Sequence, residues 1–224
     1  MIVEQNERKD KRSNLQMQEI FLKKGVKLDS TSSIYLETNH IKLLCSVNGP
    51  IYLSTLPKGK CDDASKMNVV VKVSIPAYYT HLDISTKKNT LEIQLEELFS
   101  RNIFLEKYAR TKLLISIEVF EFSCDILPFA IMASTLALNE ANIEQKGLVT
   151  CASIIFKNNQ LMVDPTNEEE QNSEFKLTFG CLSDLQENNL FIQNGCVEEV
   201  DFKRAVGTCI KICEAYQNFL VSKL

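Results

Sequence analysis

Short segments of alternating and β-branched hydrophobic residues recur along the chain and predict a series of β-strands. Segments 33–38 and 41–46 flank the turn signal Asn39-His40, so we expect a β-hairpin that ends at the breaker Asn48-Gly49-Pro50. The run VVVKVSI within residues 67–75 predicts a central strand. Further strands are predicted over residues 19–24, 113–122, 148–156, 160–163, 174–179 and 189–193.

Three segments have helical hydrophobic spacing instead. Leu91, Leu95 and Leu98 share one face of a predicted helix over residues 90–102, with Thr90 as its N-cap. Asp125 is expected to cap a second helix that ends near residue 142. Its uncharged apolar stretch, 126–138, is too short to cross a bilayer and predicts a buried helix. The last helix, about 200–220, has one apolar stripe: Phe202, Val206, Cys209, Cys213, Tyr216 and Leu220.

No linker or low-complexity segment interrupts this pattern after residue 15, which predicts a single domain over residues 16–224. Residues 1–15 carry mixed charge and little hydrophobic periodicity, so we expect them to form a mobile N-terminal arm. The first ten residues are polar and charged, which is not typical of a secretory signal.

The amino-acid composition limits the classes of protein to which this chain can belong. Apolar residues make up 45% of the 224 positions and charged residues 24%, which is typical of a soluble globular protein. The formal net charge of −4 means that the surface as a whole does not attract nucleic acid, so any RNA contact requires local basic patches. Several of the eight cysteines lie in apolar runs, as Cys45 and Cys151 do, which favours free thiols in a reducing compartment.

The common catalytic motifs are missing from the sequence. The two histidines, His40 and His81, are typical of turn or surface positions, and two scattered histidines do not make a zinc site. Pro57-Lys58-Gly59-Lys60 lacks the spacing and the hydroxyl residue of a phosphate-binding loop. We therefore predict no cofactor and no metal. The one acidic cluster, Glu168-Glu169-Glu170, is either a solvated turn or, since Mg²⁺ prefers carboxylates, a magnesium site.

Several segments, taken in order, resemble the RNase PH family. Residues 34–38 and 41–50 are similar to its first hairpin, Tyr108-Ala109-Arg110 to its aromatic-proline-arginine step, 134–143 to its central helix, and 162–166 with the glutamates to its hairpin exit and acidic turn. The match runs from about residue 15 onward. Asp164-Pro165-Thr166 with the trailing glutamates resembles one eukaryotic branch, the exosome ring subunits of the mRNA transport regulator three type.

The resemblance implies an α/β (α+β) fold of the RNase PH-like, ribosomal protein S5 domain 2-like type, with mixed sheets packed against helices in two β-α units. It also implies a hetero-oligomeric ring of six such domains around a pore for RNA. The expected partners are other RNase PH-like ring subunits, cap subunits and RNA, with no membrane. The expected location is the nucleus, including the nucleolus, and the cytoplasm.

Two departures from the family pattern bear on activity. Active members carry a glycine, a hydroxyl residue and an arginine at the start of the central helix, where they hold the attacking phosphate. This chain has Asp125-Ile126-Leu127-Pro128 there, and Lys176 stands where the family has an aspartate. The resemblance therefore implies a non-enzymatic subunit that guides RNA to associated 3′–5′ nucleases. The alternative is an active phosphate-dependent 3′–5′ exoribonuclease.

Basic residues at family positions near the pore are the candidate RNA contacts. Lys87 and Lys88 match a basic pair in the loop before the first helix. Further candidates are Lys58, Lys60 and Lys66 in the preceding polar loop, and Arg110 after that helix. These residues either bind RNA phosphates irrespective of sequence or are ordinary solvated charges.

Overall fold

The computed structural model describes residues 8–53, 65–76, 84–158, 160–171, 173–182 and 187–224. Two β-sheets with helices between and around them confirm the α/β class. None of the helices in these ranges combines the length and the hydropathy that a membrane span requires. The seven cysteines in these ranges are free thiols, and five of them are buried.

The first sheet has five strands, β1 (Phe21–Lys24), β2 (Ser32–Glu37), β3 (Ile41–Tyr52), β4 (Asn68–Ser74) and β5 (Thr111–Phe122), in the order β1-β2-β3-β5-β4. All neighbours are antiparallel except β4 and β5, which are parallel. Helix α1 (Ile84–Asn102) makes the crossover between those two strands and packs on β4. A short 3-10 helix (Leu105–Tyr108) then leads into β5.

The second sheet is antiparallel and contains β6 (Val149–Lys157), β7 (Gln160–Val163), β8 (Phe175–Leu182) and β9 (Glu187–Gly195), in the order β7-β6-β8-β9. A short helix, α3 (Asn167–Gln171), links β7 to β8. The long helix α4 (Glu199–Val221) follows β9 and packs on β6 and β8 through the predicted cysteine-containing stripe.

Helix α2 (Ile126–Glu140) lies between the two sheets. It packs against β2 and β3 on one side and β6 on the other, and its first 13 residues are all buried. This position explains why the segment is apolar on every face instead of amphipathic. Strand β6 is buried on both faces for the same reason, since α2 covers one face and α4 the other.

Two predicted element boundaries are wrong. Strand β3 does not end at Asn48-Gly49-Pro50 but continues to Tyr52, because Pro50 lies in a bulge where the register with β5 shifts and no ladder hydrogen bond is required. Helix α1 begins at Ile84, so Thr90 is internal and donates its hydroxyl to the carbonyl of Thr86 at 2.9 Å instead of capping the helix.

The described part of the predicted arm packs against the domain. The side chain of Arg8 is fully buried and donates to the carbonyl oxygens of Val163 at 2.8 Å and Asp164 at 3.1 Å. Arg12 also donates to the carbonyl of Asp164, and the amide of Val163 donates to the carbonyl of Asn14. These bonds hold residues 8–14 at the end of β7. Residues 1–7 lie outside the described residues.

Candidate functional site

A pocket of about 350 Å³ opens between helix α1 and the second sheet, at the N-terminus of α2. Its walls come from the start of α1, the N-terminus of α2, and the adjacent strands β8 and β9. Leu127 and Lys176, the two positions compared above with active family members, line this pocket together with Asp125 and Lys87. The fold therefore brings these two positions into the same pocket, although they are far apart in the sequence.

The N-terminus of α2 is occupied by the protein's own carboxylate. Asp125 is the N-cap, and its side chain accepts a hydrogen bond from the amide of Leu127 at 3.2 Å. The next position, Pro128, has no amide hydrogen to offer. Helix N-termini attract anions because their amides are unpaired. Here the helix supplies that anion itself.

Lys176 of β8 lies between two carboxylates. Its Nζ is 2.7 Å from Oδ2 of Asp125 and 2.8 Å from Oε1 of Glu170 in α3. The side chains of Lys176 and Asp125 are only 13% and 14% exposed. Burial opposes both charges, yet the pairing prevails: the pKa of Asp125 is lowered and the pKa of Lys176 is raised. The contact is therefore a charged pair at neutral pH, and the three residues form a charge-paired triad.

Backbone pairing places this triad. Cys124 forms an isolated β-bridge with Thr166, and the amide of Asn167 donates to the carbonyl of Ser123 at 2.7 Å. These contacts hold the start of α2 beside α3, although the two segments are about forty residues apart. Lys176 stands out in the sequence as a departure from the family pattern, but its partner Glu170 was not predicted, because no local spacing pattern links the residues of the triad.

Each of the three clustered glutamates has a basic partner. Glu168 pairs with Lys9, Glu169 with Arg8, and Glu170 with Lys176. The described residues contain no group of three or more histidine, cysteine or acidic side chains arranged to hold a metal ion. The cluster is thus a short helix held by ion pairs, which supports neither a simple solvated turn nor the magnesium hypothesis.

The structure separates the candidate RNA contacts into two groups. Lys87 and Lys88 lie in the first two turns of α1, not in a loop. The ammonium of Lys87 is 5.1 Å from the ring centroid of Phe122, at the end of β5. Nζ of Lys88 lies 3.9 Å from Oε1 of Glu92, one helical turn further along α1.

Lys66 and Arg110 are exposed and lie at the other end of the first sheet, beside the starts of β4 and β5. The two groups are therefore separated by most of the length of β5, on the order of 30 Å. Lys58, Lys60 and His81 lie outside the described residues. His40 sits in its predicted turn, within hydrogen-bond distance of Ser123 and Asp10.

Solved structures with the same fold include two exosome proteins. A rice (Oryza sativa) Rrp46 structure aligns with a TM-score of 0.81 at 18% identity, covering 96% of this chain and 99% of that one. An archaeal exosome core chain aligns with a TM-score of 0.75 at 14% identity, covering 96% and 91%. At these identities the likeness establishes the fold.

Sequence relatives carry exosome names as well. The exosome complex component ski6 of Schizosaccharomyces pombe is 27% identical over 152 residues, which is 65% of this chain and 61% of that protein. The exosome complex component Rrp41 of Thermoplasma volcanium is 25% identical over the whole chain and 92% of its own length.

Two family models cover most of the sequence. The 3′ exoribonuclease family, domain 1, matches residues 16–144, and domain 2 of the same family matches residues 147–209. The boundary between them falls between α2 and β6, so the pocket is built from both matched segments. The chain therefore belongs to the 3′ exoribonuclease, or RNase PH, family.

Proposed function

We propose that this chain is a non-catalytic ring subunit of an RNA exosome, with a structural role and a role in guiding RNA to associated 3′–5′ nucleases. The observation that carries the proposal is the charge-paired triad at the N-terminus of α2. In the family this position holds the attacking phosphate, whereas here Asp125 occupies it and is ion-paired to Lys176.

Phosphate binding at this pocket faces two obstacles. An incoming phosphate would meet the carboxylate of Asp125 at the helix N-terminus, and like charges at short range repel each other. The neighbouring Leu127 is 4% exposed and apolar, so it offers no hydrogen bond to an anion. The positive charge of Lys176 is already shared between two carboxylates. The other cation that lines the pocket is Lys87, whose ammonium lies 5.1 Å from the ring centroid of Phe122. The helix N-terminus, where the family holds phosphate, therefore offers an anion only a carboxylate and a lysine that is already paired.

The relatives support the exosome assignment. Sequence matches named as exosome complex components come from a fungus and an archaeon, and the structural neighbours are exosome proteins. The proposed partners are other RNase PH-like ring subunits, cap subunits and RNA, in the six-membered ring that the family resemblance implies. A location in the nucleus, nucleolus and cytoplasm belongs to the same proposal.

An assay for phosphorolysis tests the prediction that the chain has no exoribonuclease activity of its own. Purified chain is incubated with single-stranded RNA and inorganic phosphate, beside an active RNase PH-type enzyme as assay control, and released nucleoside diphosphates are measured. We expect none above a buffer blank. Leu127→Arg should also be inactive, because the triad still occupies the helix N-terminus. Phosphate-dependent release by the wild-type chain would instead identify it as an active exoribonuclease.

A further inference from the structure

A second groove, of about 510 Å³, runs along one face of α4 and shares no lining residue with the charge-paired pocket. On the helix side it is lined by Arg204, Gly207, Thr208 and Lys211. Their spacing of three and four residues places them on a single helical face. The proposed exosome role does not involve this face of α4.

The opposite wall of the groove combines two leucines with two amide side chains. Leu15 of the N-terminal segment is 61% exposed, whereas Leu161 of β7, which lines the same wall, is 8% exposed. The side chain of Asn14 donates to that of Gln160 at 2.6 Å, which ties the N-terminal segment to β7. The groove is thus preformed, with an exposed leucine side chain facing the helix.

Gly207 keeps the helix side of the groove open. It lies inside α4, where glycine is less favourable than alanine. Its backbone has no positive φ, and a Cβ added there would meet no atom within 4 Å. Packing within the chain therefore does not require glycine at this position. The missing side chain instead gives a ligand close access to the helix.

The groove is positively charged although the chain is acidic. Arg204 and Lys211 stand at either side of Gly207, about 10.5 Å apart along the helix axis, and no acidic residue lines the groove. One bond at 2.7 Å to Asp201 engages a single nitrogen of the Arg204 guanidinium, and a guanidinium has five N–H donors. Lys211 forms no ion pair with any other residue in the described ranges.

We infer that this groove docks an extended acidic peptide segment of a partner protein. One aliphatic side chain of the peptide packs over Gly207 against Leu15, and carboxylates on either side of it pair with Arg204 and Lys211. The rise of about 10.5 Å between Arg204 and Lys211 along the helix axis corresponds to about three residues of extended chain. RNA fits the groove less well, because none of its lining residues is aromatic and single-stranded RNA binds by stacking on aromatic side chains.

The test uses the full chain and a short fluorescein-labelled peptide with one leucine flanked by aspartates. Fluorescence anisotropy should show saturable binding. Lys211→Glu replaces a cation of the groove with a carboxylate, and Gly207→Leu places a bulky side chain in the groove. Each should weaken peptide binding by about tenfold or more. Lys203→Glu is the matched control, since this lysine is on α4, is 72% exposed and does not line the groove. It should leave binding unchanged.

Thermal unfolding of every variant, together with Gly207→Ala, verifies that the helix is intact, and Gly207→Ala should not lower the midpoint. The inference is overturned if the peptide shows no saturable binding, or if Lys203→Glu weakens binding as much as Lys211→Glu does. It is also overturned if oligouridylate binds the groove with the same variant sensitivity and the peptide does not, since the site would then be an RNA contact.

Discussion

At the scale of single residues, the charge-paired triad has a large expected effect on stability. Removing one partner of a buried ion pair leaves the other charge uncompensated, which costs about 3–5 kcal/mol. We expect Lys176→Met to lower the free energy of unfolding by about 3 kcal/mol in urea titrations. Combining it with Asp125→Asn should recover part of this loss. Lys203→Met, which breaks an exposed ion pair with Glu199, is the control and should change stability by less than about 0.5 kcal/mol.

The same pair predicts a pH dependence of stability. The pKa of Asp125 is lowered from 3.8 in the folded chain, so its contribution is present above that pH and is lost as the pH falls through the lower folded value. The pKa of Lys176 is raised from 10.5, so its contribution is present below that pH and is lost as the pH rises through the higher folded value. The stability difference between wild type and Lys176→Met should therefore be largest between about pH 4 and 10. A difference that does not decrease outside this window would contradict the assignment.

Lys87 and Lys88 carry the residue-scale prediction about RNA. In a reconstituted ring, replacing both with alanine should weaken RNA binding and reduce the slope of log affinity against log salt by about 0.7 for each lost phosphate contact. Lys107→Ala is a suitable control, because this lysine also lies 5.0 Å from an aromatic ring, that of Phe104, but is not a candidate contact. An unchanged slope for the double variant would leave the subunit a purely architectural role.

At the scale of elements, the N-terminal segment and α3 depend on each other. The guanidinium of Arg8 donates to Glu169 at 3.0 and 2.8 Å as well as to backbone carbonyls at the end of β7. We expect Arg8→Ala to cost about 3 kcal/mol of unfolding free energy, because it removes a buried, fully bonded charge. Lys9→Ala is the neighbouring control. That side chain is 88% exposed, so the change should stay within about 0.5 kcal/mol.

Hydrophobic periodicity located most elements but not all of their ends. Helix α2 was predicted from its uncharged apolar run after Asp125, and α4 from its apolar stripe with helical spacing. The early start of α1 was not predicted, because residues 85–89 are all polar and extend no apolar face of the helix. The extension of β3 was missed because a bulge accommodates Pro50. The partners of Lys176 and Arg8 are set by tertiary contacts across many residues, which no local pattern encodes.

At the scale of the whole molecule, apolar side chains remain at the surface. Several large hydrophobic residues lie at or near strands on both sheets and are substantially exposed: Phe21, Leu28, Ile51, Tyr52 and Phe191. Strand β9 is an edge strand, and its residues 188–195 carry no charge. Uncharged edges and apolar patches of this kind are typical of surfaces that a neighbouring chain covers.

We therefore expect the isolated chain to self-associate or to be poorly soluble, and to be stabilised by co-expression with another RNase PH-type subunit. Size-exclusion chromatography of the chain alone and of the co-expressed pair measures this directly. A monodisperse monomer that does not co-elute with any such subunit would count against the ring assignment.

The ion pair between Asp125 and Lys176 also constrains how the sequence can evolve. Freeing the helix N-terminus for an external anion requires replacing Asp125, and placing a carboxylate at position 176 requires replacing Lys176. Replacing Lys176 alone leaves the buried carboxylate of Asp125 without its cation, which costs about 3–5 kcal/mol of the roughly 5–15 kcal/mol that typically keeps a domain folded. Replacing Asp125 alone should cost less, because Lys176 keeps its pair with Glu170. Selection against the less stable intermediate therefore constrains the order in which the two replacements can occur.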